Sequence, residues 1–205
     1  MNMKTLLRAP QLVLAALLML VLLLLAALSS VAAAQTPDAA ALPGDSVYRL
    51  DAPLVDQGGR HFAFAARAGR PQLVSMFYTS CPYVCPLIID TLKKTQGSMT
   101  PEERGKLDVL LISFDPDRDT PERLKEVFEQ RHIDAQTWTF ARTEAPNVRK
   151  LAALFGIQYR ALANGDVNHS SALLLLDAQG RIVARTETIG AVDPAFVEAV
   201  KQALR

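Results

Sequence analysis

An uncharged Leu/Ala-rich run from Gln11 to Leu28 opens the chain, and shorter apolar blocks broken by Gly, Pro and Asp follow it. Between them, Gln35 to Gly44 is Ala/Pro-rich and aperiodic, which predicts a linker over 35–45 and an ordered domain over 46–205. Apolar stretches around Leu54 and from His61 to Phe64 flank Asp56-Gln57-Gly58-Gly59, so a β-hairpin is predicted there. Gln72 to Tyr78 is apolar enough for a strand buried on both faces, and Val84 to Gln96 has helical spacing through Leu87, Ile88 and Leu92. Leu107 to Phe114 predicts a second buried strand, and Thr120-Pro121-Glu122 opens a helix with Leu124, Val127 and Phe128 on one face. Trp138 to Phe140 suits a short strand, and Ala145 to Phe155 a helix that Gly156 stops. Ser171 to Leu176 and Ile182 to Arg185 form a hairpin about Asp177-Ala178-Gln179-Gly180, and Asp193-Pro194 starts a last helix. The order predicts an α/β fold with a mixed sheet flanked by helices and an N-terminal β-hairpin.

Lys4 and Arg8 precede the long apolar run, and Ala32-Ala33-Ala34-Gln35 follows it. That order reads as an export signal cleaved after Ala34 or, if retained, as an N-terminal membrane anchor over 1–34. Either outcome carries the domain out of the cytoplasm. No cysteine lies near the cleavage site, so no lipoprotein anchor is expected. The formal net charge is +1, and loss of Lys4 and Arg8 would make it −1. Without a basic stripe, nothing points to nucleic acid.

Both cysteines of the chain lie in Ser80-Cys81-Pro82-Tyr83-Val84-Cys85-Pro86, between a predicted strand and a predicted helix. A plain structural disulfide is the ordinary reading of two cysteines in an exported protein, but so short a loop constrains the unfolded chain little. A helix N-terminus gathers unpaired N–H groups and favours the thiolate at Cys81. Positions i and i+4 bring two Cβ atoms about 5–6 Å apart on one face, which suits a chelate. A disulfide needs about 3.8 Å, so the first turn would have to open, as Pro82 and Pro86 permit. Of the candidate third ligands, His61 falls in the early hairpin and His132 at a helix end, whereas His169 lies in a polar loop, Asn164 to Ser170, leading into an apolar strand. If that strand is central, its leading loop lies beside the cysteine turn. Two soft thiolates with one imidazole select Cu(I) over hard cations, and zinc would want a fourth ligand.

Tyr78 to Pro86, then Ser113-Phe114-Asp115-Pro116-Asp117-Arg118-Asp119-Thr120-Pro121-Glu122, then Val167-Asn168-His169-Ser170 resemble, in order and spacing over 46–204, the Sco/SenC family. The resemblance implies a thioredoxin-like fold in which Cys81, Cys85 and His169 bind copper, as Cu(I) or Cu(II), for assembly of the copper centre of cytochrome c oxidase. The implied partners are an apo-subunit of that oxidase and a thiol reductant protein, on the periplasmic side of the inner membrane. Tyr83 and Asn168 stand where similar sequences often carry acidic residues, a loss of charge that tunes affinity and preferred oxidation state. The loop Asp115 to Asp119 reads equally as an outer support or docking feature of the site and as a solvated turn with a helix cap. The leading reading is a metallochaperone, which is not an enzyme. Its rival is an exported thiol:disulfide oxidoreductase in which Cys81 attacks and Cys85 resolves. Against the rival, the cysteines have one residue more between them than Cys-x-x-Cys, and no proline occurs from Asn147 to Asp193 to face them. An exported peroxidase ranks last, for want of a single nucleophilic cysteine with a basic partner.

Overall fold

The N-terminal hairpin forms about its glycines: β1 (Pro53–Asp56) runs antiparallel to β2 (His61–Ala63), with Val55 opposite His61. Asp56 Oδ1 closes the turn by accepting from the Gly58 and Arg60 N–H groups, both at 2.9 Å. These features belong to a computed structural model, which describes Met19, residues 42–161 and residues 167–205. The signal or anchor reading of 1–34 and most of the linker therefore lie outside the described residues, as do residues 162–166. Among the described residues no helix is long and apolar enough to cross a membrane.

The fully buried β3 (Gln72–Phe77) leads through the cysteine turn into α1 (Val84–Gly97), as predicted. A short helix not anticipated from the sequence, α2 (Pro101–Lys106), comes next, followed by β4 (Asp108–Ser113) and α3 (Pro121–Gln130). The signal for α2 was present: Thr100 and Glu103 form a capping box, each side chain bonded to the other's backbone N–H. Next come β5 (Trp138–Arg142) and α4 (Ala145–Leu154), then a small antiparallel ribbon of β6 (Tyr159–Ala161) and β7 (Val167–His169). The chain finishes with the hairpin β8 (Leu173–Leu176) and β9 (Ile182–Thr186) and the C-terminal α5 (Pro194–Ala203).

The main sheet has the order β2-β1-β5-β4-β3-β8-β9. Its centre, β5, β4 and β3, is parallel; β1 and β8 join on either side in antiparallel sense. Every residue of β3 and β8 is buried, as expected for strands covered on both faces. The antiparallel pairing of β8 with β3 matters most for function. It sets Leu174 opposite Val74 and Leu176 opposite Gln72, so β8 begins at the end of the sheet where β3 finishes and the cysteine turn starts. Ser75 Oγ donates to the Ala172 carbonyl at 2.8 Å and ties the two together.

Two expectations need correction. His169 is not in a loop: it ends β7, opposite Tyr159, because residues 167–169 satisfy their backbone groups against 159–161. The strand it leads into, β8, lies next to β3 without being central, and that adjacency alone serves to bring the segment to the cysteine turn.

Candidate metal centre

The turn between β3 and α1 is built around sulfur. Tyr83, at the start of α1, supplies no side-chain cap. Instead the backbone N–H groups of Cys85, Tyr83 and Val84 converge on the Cys81 thiol, together with the Cys85 thiol itself. Burial pushes the Cys81 pKa up, but these donors together outweigh it and hold the pKa below the ordinary thiol value. Cys85, one turn on and 2% exposed, is governed by burial, which pushes its pKa far up; the neighbouring Cys81 and Asp119 charges add to the rise. The Tyr78 N–H, donating to Cys85 Sγ at 3.4 Å, opposes it only in part. Both cysteines are free thiols, and a hydrogen bond joins them. The pair thus has one sulfur prone to ionise and one that resists it.

His169 approaches from β7. Its imidazole lies 4.8 Å from the Phe114 ring centroid and 6.0 Å from that of Tyr78, edge-on to the latter. Tyr78 and Phe114 follow directly on β3 and β4, and Phe114 also packs on Tyr159 at 5.4 Å. His169 Nδ1 stands 3.0 Å from the Ser170 carbonyl, which can only accept, so Nδ1 is the donor there and, in the neutral ring, Nε2 carries the lone pair. A cleft of about 460 Å³ lined by Gln158, Arg160, Asn168 and His169 opens beside the ring.

The structure therefore brings His169 onto the residues bordering the cysteine turn, without closing a ligand set: among the described residues no three His, Cys, Asp or Glu side chains stand close enough to hold a metal ion. The other two histidines lie elsewhere. His61 is on β2, four strands from β3, or roughly 19 Å at the usual strand spacing. His132 sits just past α3 with φ +49° and lines a separate groove with Gln57, Phe128 and Ile133.

Three supporting residues were not singled out from the sequence. Tyr78 and Phe114 read there as strand ends and members of the resembling segments, and Asp119 as part of an acidic loop that could equally support the site or face water. The solvated-turn reading of that loop fails at Asp119, which is 0% exposed. Its carboxylate accepts from Thr79 N at 3.1 Å and from the hydroxyls of Thr79 and Ser113, and burial raises its pKa more than these bonds lower it.

A family model described as SCO1/SenC matches residues 46–205. The SCO2-like protein of Rickettsia prowazekii is 31% identical over 137 residues, covering 62% of this chain and 63% of that protein. Mitochondrial protein SCO2 of Saccharomyces cerevisiae is 28% identical over 134 residues, covering 63% of this chain and 44% of that one. The chain thus spans less than two thirds of the length of these relatives. Among solved structures, a SCO1/SenC family lipoprotein from Bacillus anthracis superposes with a TM-score of 0.68 at 23% identity, covering 75% of this chain and 92% of that one. ScoI of Bradyrhizobium japonicum with copper bound does so with a TM-score of 0.60 at 23% identity, covering 74% and 94%. At these identities the superpositions speak for the fold, which is thioredoxin-like.

Proposed function

The chain belongs to the SCO1/SenC family, and from that premise we propose that it is a copper metallochaperone in which Cys81, Cys85 and His169 hold one copper ion and pass it to an apo-subunit of cytochrome c oxidase. The observation that carries this reading is the pair of mutually bonded free thiols at a helix start, with an imidazole packed on the two rings that border it. Two thiolates and one imidazole suit Cu(I), a soft ion content with few ligands, and its uptake releases the thiol protons. The ion is cargo. Three protein donors leave room for an incoming ligand from the acceptor, so delivery proceeds by ligand exchange and needs no turnover chemistry. Loading draws the imidazole and the sulfurs together, with Nε2 as the available nitrogen. Copper requires the dithiol, so a thiol reductant protein is a second partner. We further infer that residues 1–34 export the domain or anchor it at the periplasmic face of the inner membrane, with 35–45 as tether and 46–205 as the copper-binding domain.

Titration of the reduced protein with Cu(I) and zinc in competition tests the proposal. One equivalent of copper is expected to bind in preference to zinc, and His169→Ala to weaken copper binding strongly while leaving the thiol count and the fold unchanged. Equal copper affinity in variant and parent would remove His169 from the site. The second reading, a thiol:disulfide oxidoreductase, draws on the opposed acidities of Cys81 and Cys85, the arrangement of an attacking and a resolving thiol. Rapid reduction of a model disulfide by a protein that forms no stable copper complex would favour it.

A further inference from the structure

Asp119 lies at the C-terminal end of the parallel strands with no exposed surface, and its partners are hydroxyls and an amide rather than a cation. One oxygen accepts from Thr79 N at 3.1 Å and from Ser113 Oγ; the other accepts from Thr79 Oγ1. Ser113 Oγ in turn accepts from Asp115 N at 2.9 Å, and Thr79 Oγ1 from Arg123 Nε at 3.4 Å. The carboxylate therefore joins the segment after β3, the last residue of β4 and the loop before α3 at one point. Each residue it holds adjoins a part of the proposed site. Thr79 follows Tyr78 and stands two residues before Cys81, while Ser113 precedes Phe114; Tyr78 and Phe114 are the rings against which His169 packs. A further bond, Phe114 N to the Phe77 carbonyl at 2.7 Å, carries the strand pairing right up to this clamp.

We propose that Asp119 is a positioning residue: its carboxylate fixes the spacing between the cysteine turn and the aromatic pair that carries the His169 imidazole. The inference rests on the copper reading above. A group that merely stabilised the fold would lower the unfolding temperature and leave the imidazole alone. A clamp acting through His169 makes the effects of the two residues overlap, because disturbing either one costs the same third ligand.

The test is Asp119→Asn in the full-length protein, which keeps the volume but replaces one acceptor oxygen with a donor. The reduced, metal-free variant is expected to retain its circular dichroism and cooperative unfolding while the His169 imidazole resonances shift in the NMR spectrum. Cu(I) affinity should fall by on the order of 10–100-fold, and adding His169→Ala should cost little more. Unmoved imidazole resonances, unchanged copper affinity, or additive losses in the double variant would overturn the proposal. If the parent itself takes up no Cu(I), the copper reading fails separately, and the metal-free imidazole resonances alone decide the clamp. Should Asp119→Asn not fold, Thr79→Val and Ser113→Ala, each removing one hydroxyl donor, are judged by the same resonances.

Discussion

A sulfur at the first turn of a helix replaces the oxygen that a serine or aspartate would offer as cap, and Cys81 does this for the N–H groups of residues 83–85. Those donors favour its thiolate, whereas Cys85, buried with an inward side chain, stays protonated. The sign of the two shifts sets the pH behaviour. Thiolate, the reactive form, exists above the pKa, so Cys81 begins to react with iodoacetamide below the ordinary thiol value of about 8.5 and Cys85 only well above it. Peptide mass mapping after brief alkylation of the reduced protein near pH 7 is expected to find Cys81 modified and Cys85 intact. Preferential labelling of Cys85 would contradict the arrangement described. Tyr83, between them, is 81% exposed and uncharged, so the turn presents an aromatic surface to solvent.

Among the elements, the β8–β9 hairpin both anchors the chain entry and aims His169. Its turn is closed by Gly180 at φ +80°, whose carbonyl accepts from Val47 N at 2.9 Å, while Ser46 Oγ donates to the Gln179 carbonyl. A Cβ on Gly180 would collide with the Tyr48 ring and approach Ser46 Oγ to 2.8 Å. Tyr48 cannot yield readily: it is 1% exposed, and its hydroxyl accepts from Gln72 Nε2 at 2.8 Å. Gly180→Ala is therefore expected to cost about 2–4 kcal/mol, combining the left-handed backbone with the overpacking. Urea unfolding measures this, and a loss below about 0.5 kcal/mol, the ordinary range for surface substitutions, would mean that the turn relaxes freely. The same hairpin was legible from its two apolar stretches and the Asp177 to Gly180 turn between them. The ribbon of β6 and β7 was not, because three-residue strands carry too little periodicity to be told from loop.

At the scale of the whole molecule, the proposed copper site links copper to the fold only while both thiols are reduced. A ligand that binds the native state alone stabilises it by about 2.7 kcal/mol at a hundredfold excess over its dissociation constant. For a domain of this size that is a rise of roughly 5–10 °C in unfolding temperature. Calorimetry of the reduced protein with and without Cu(I) is expected to show such a rise, and the disulfide form none. An equal rise in both forms would place copper away from Cys81 and Cys85. The α/β class, the order of the longer elements and the cysteine turn follow from local pattern, since burial on two faces, helix starts and glycine turns leave their marks within a few consecutive residues. Which histidine comes to the residues bordering that turn was only an inference from strand order. The antiparallel pairing of β8 with β3 returns the chain to the same end of the sheet, and there His169 packs on Tyr78 and Phe114. The contacts of Tyr78, Phe114 and Asp119 arise in the same way, from segments far apart in sequence: a strand-end ring and an acidic loop look alike in sequence whether they pack inside or face water, and only the tertiary structure distinguishes the two.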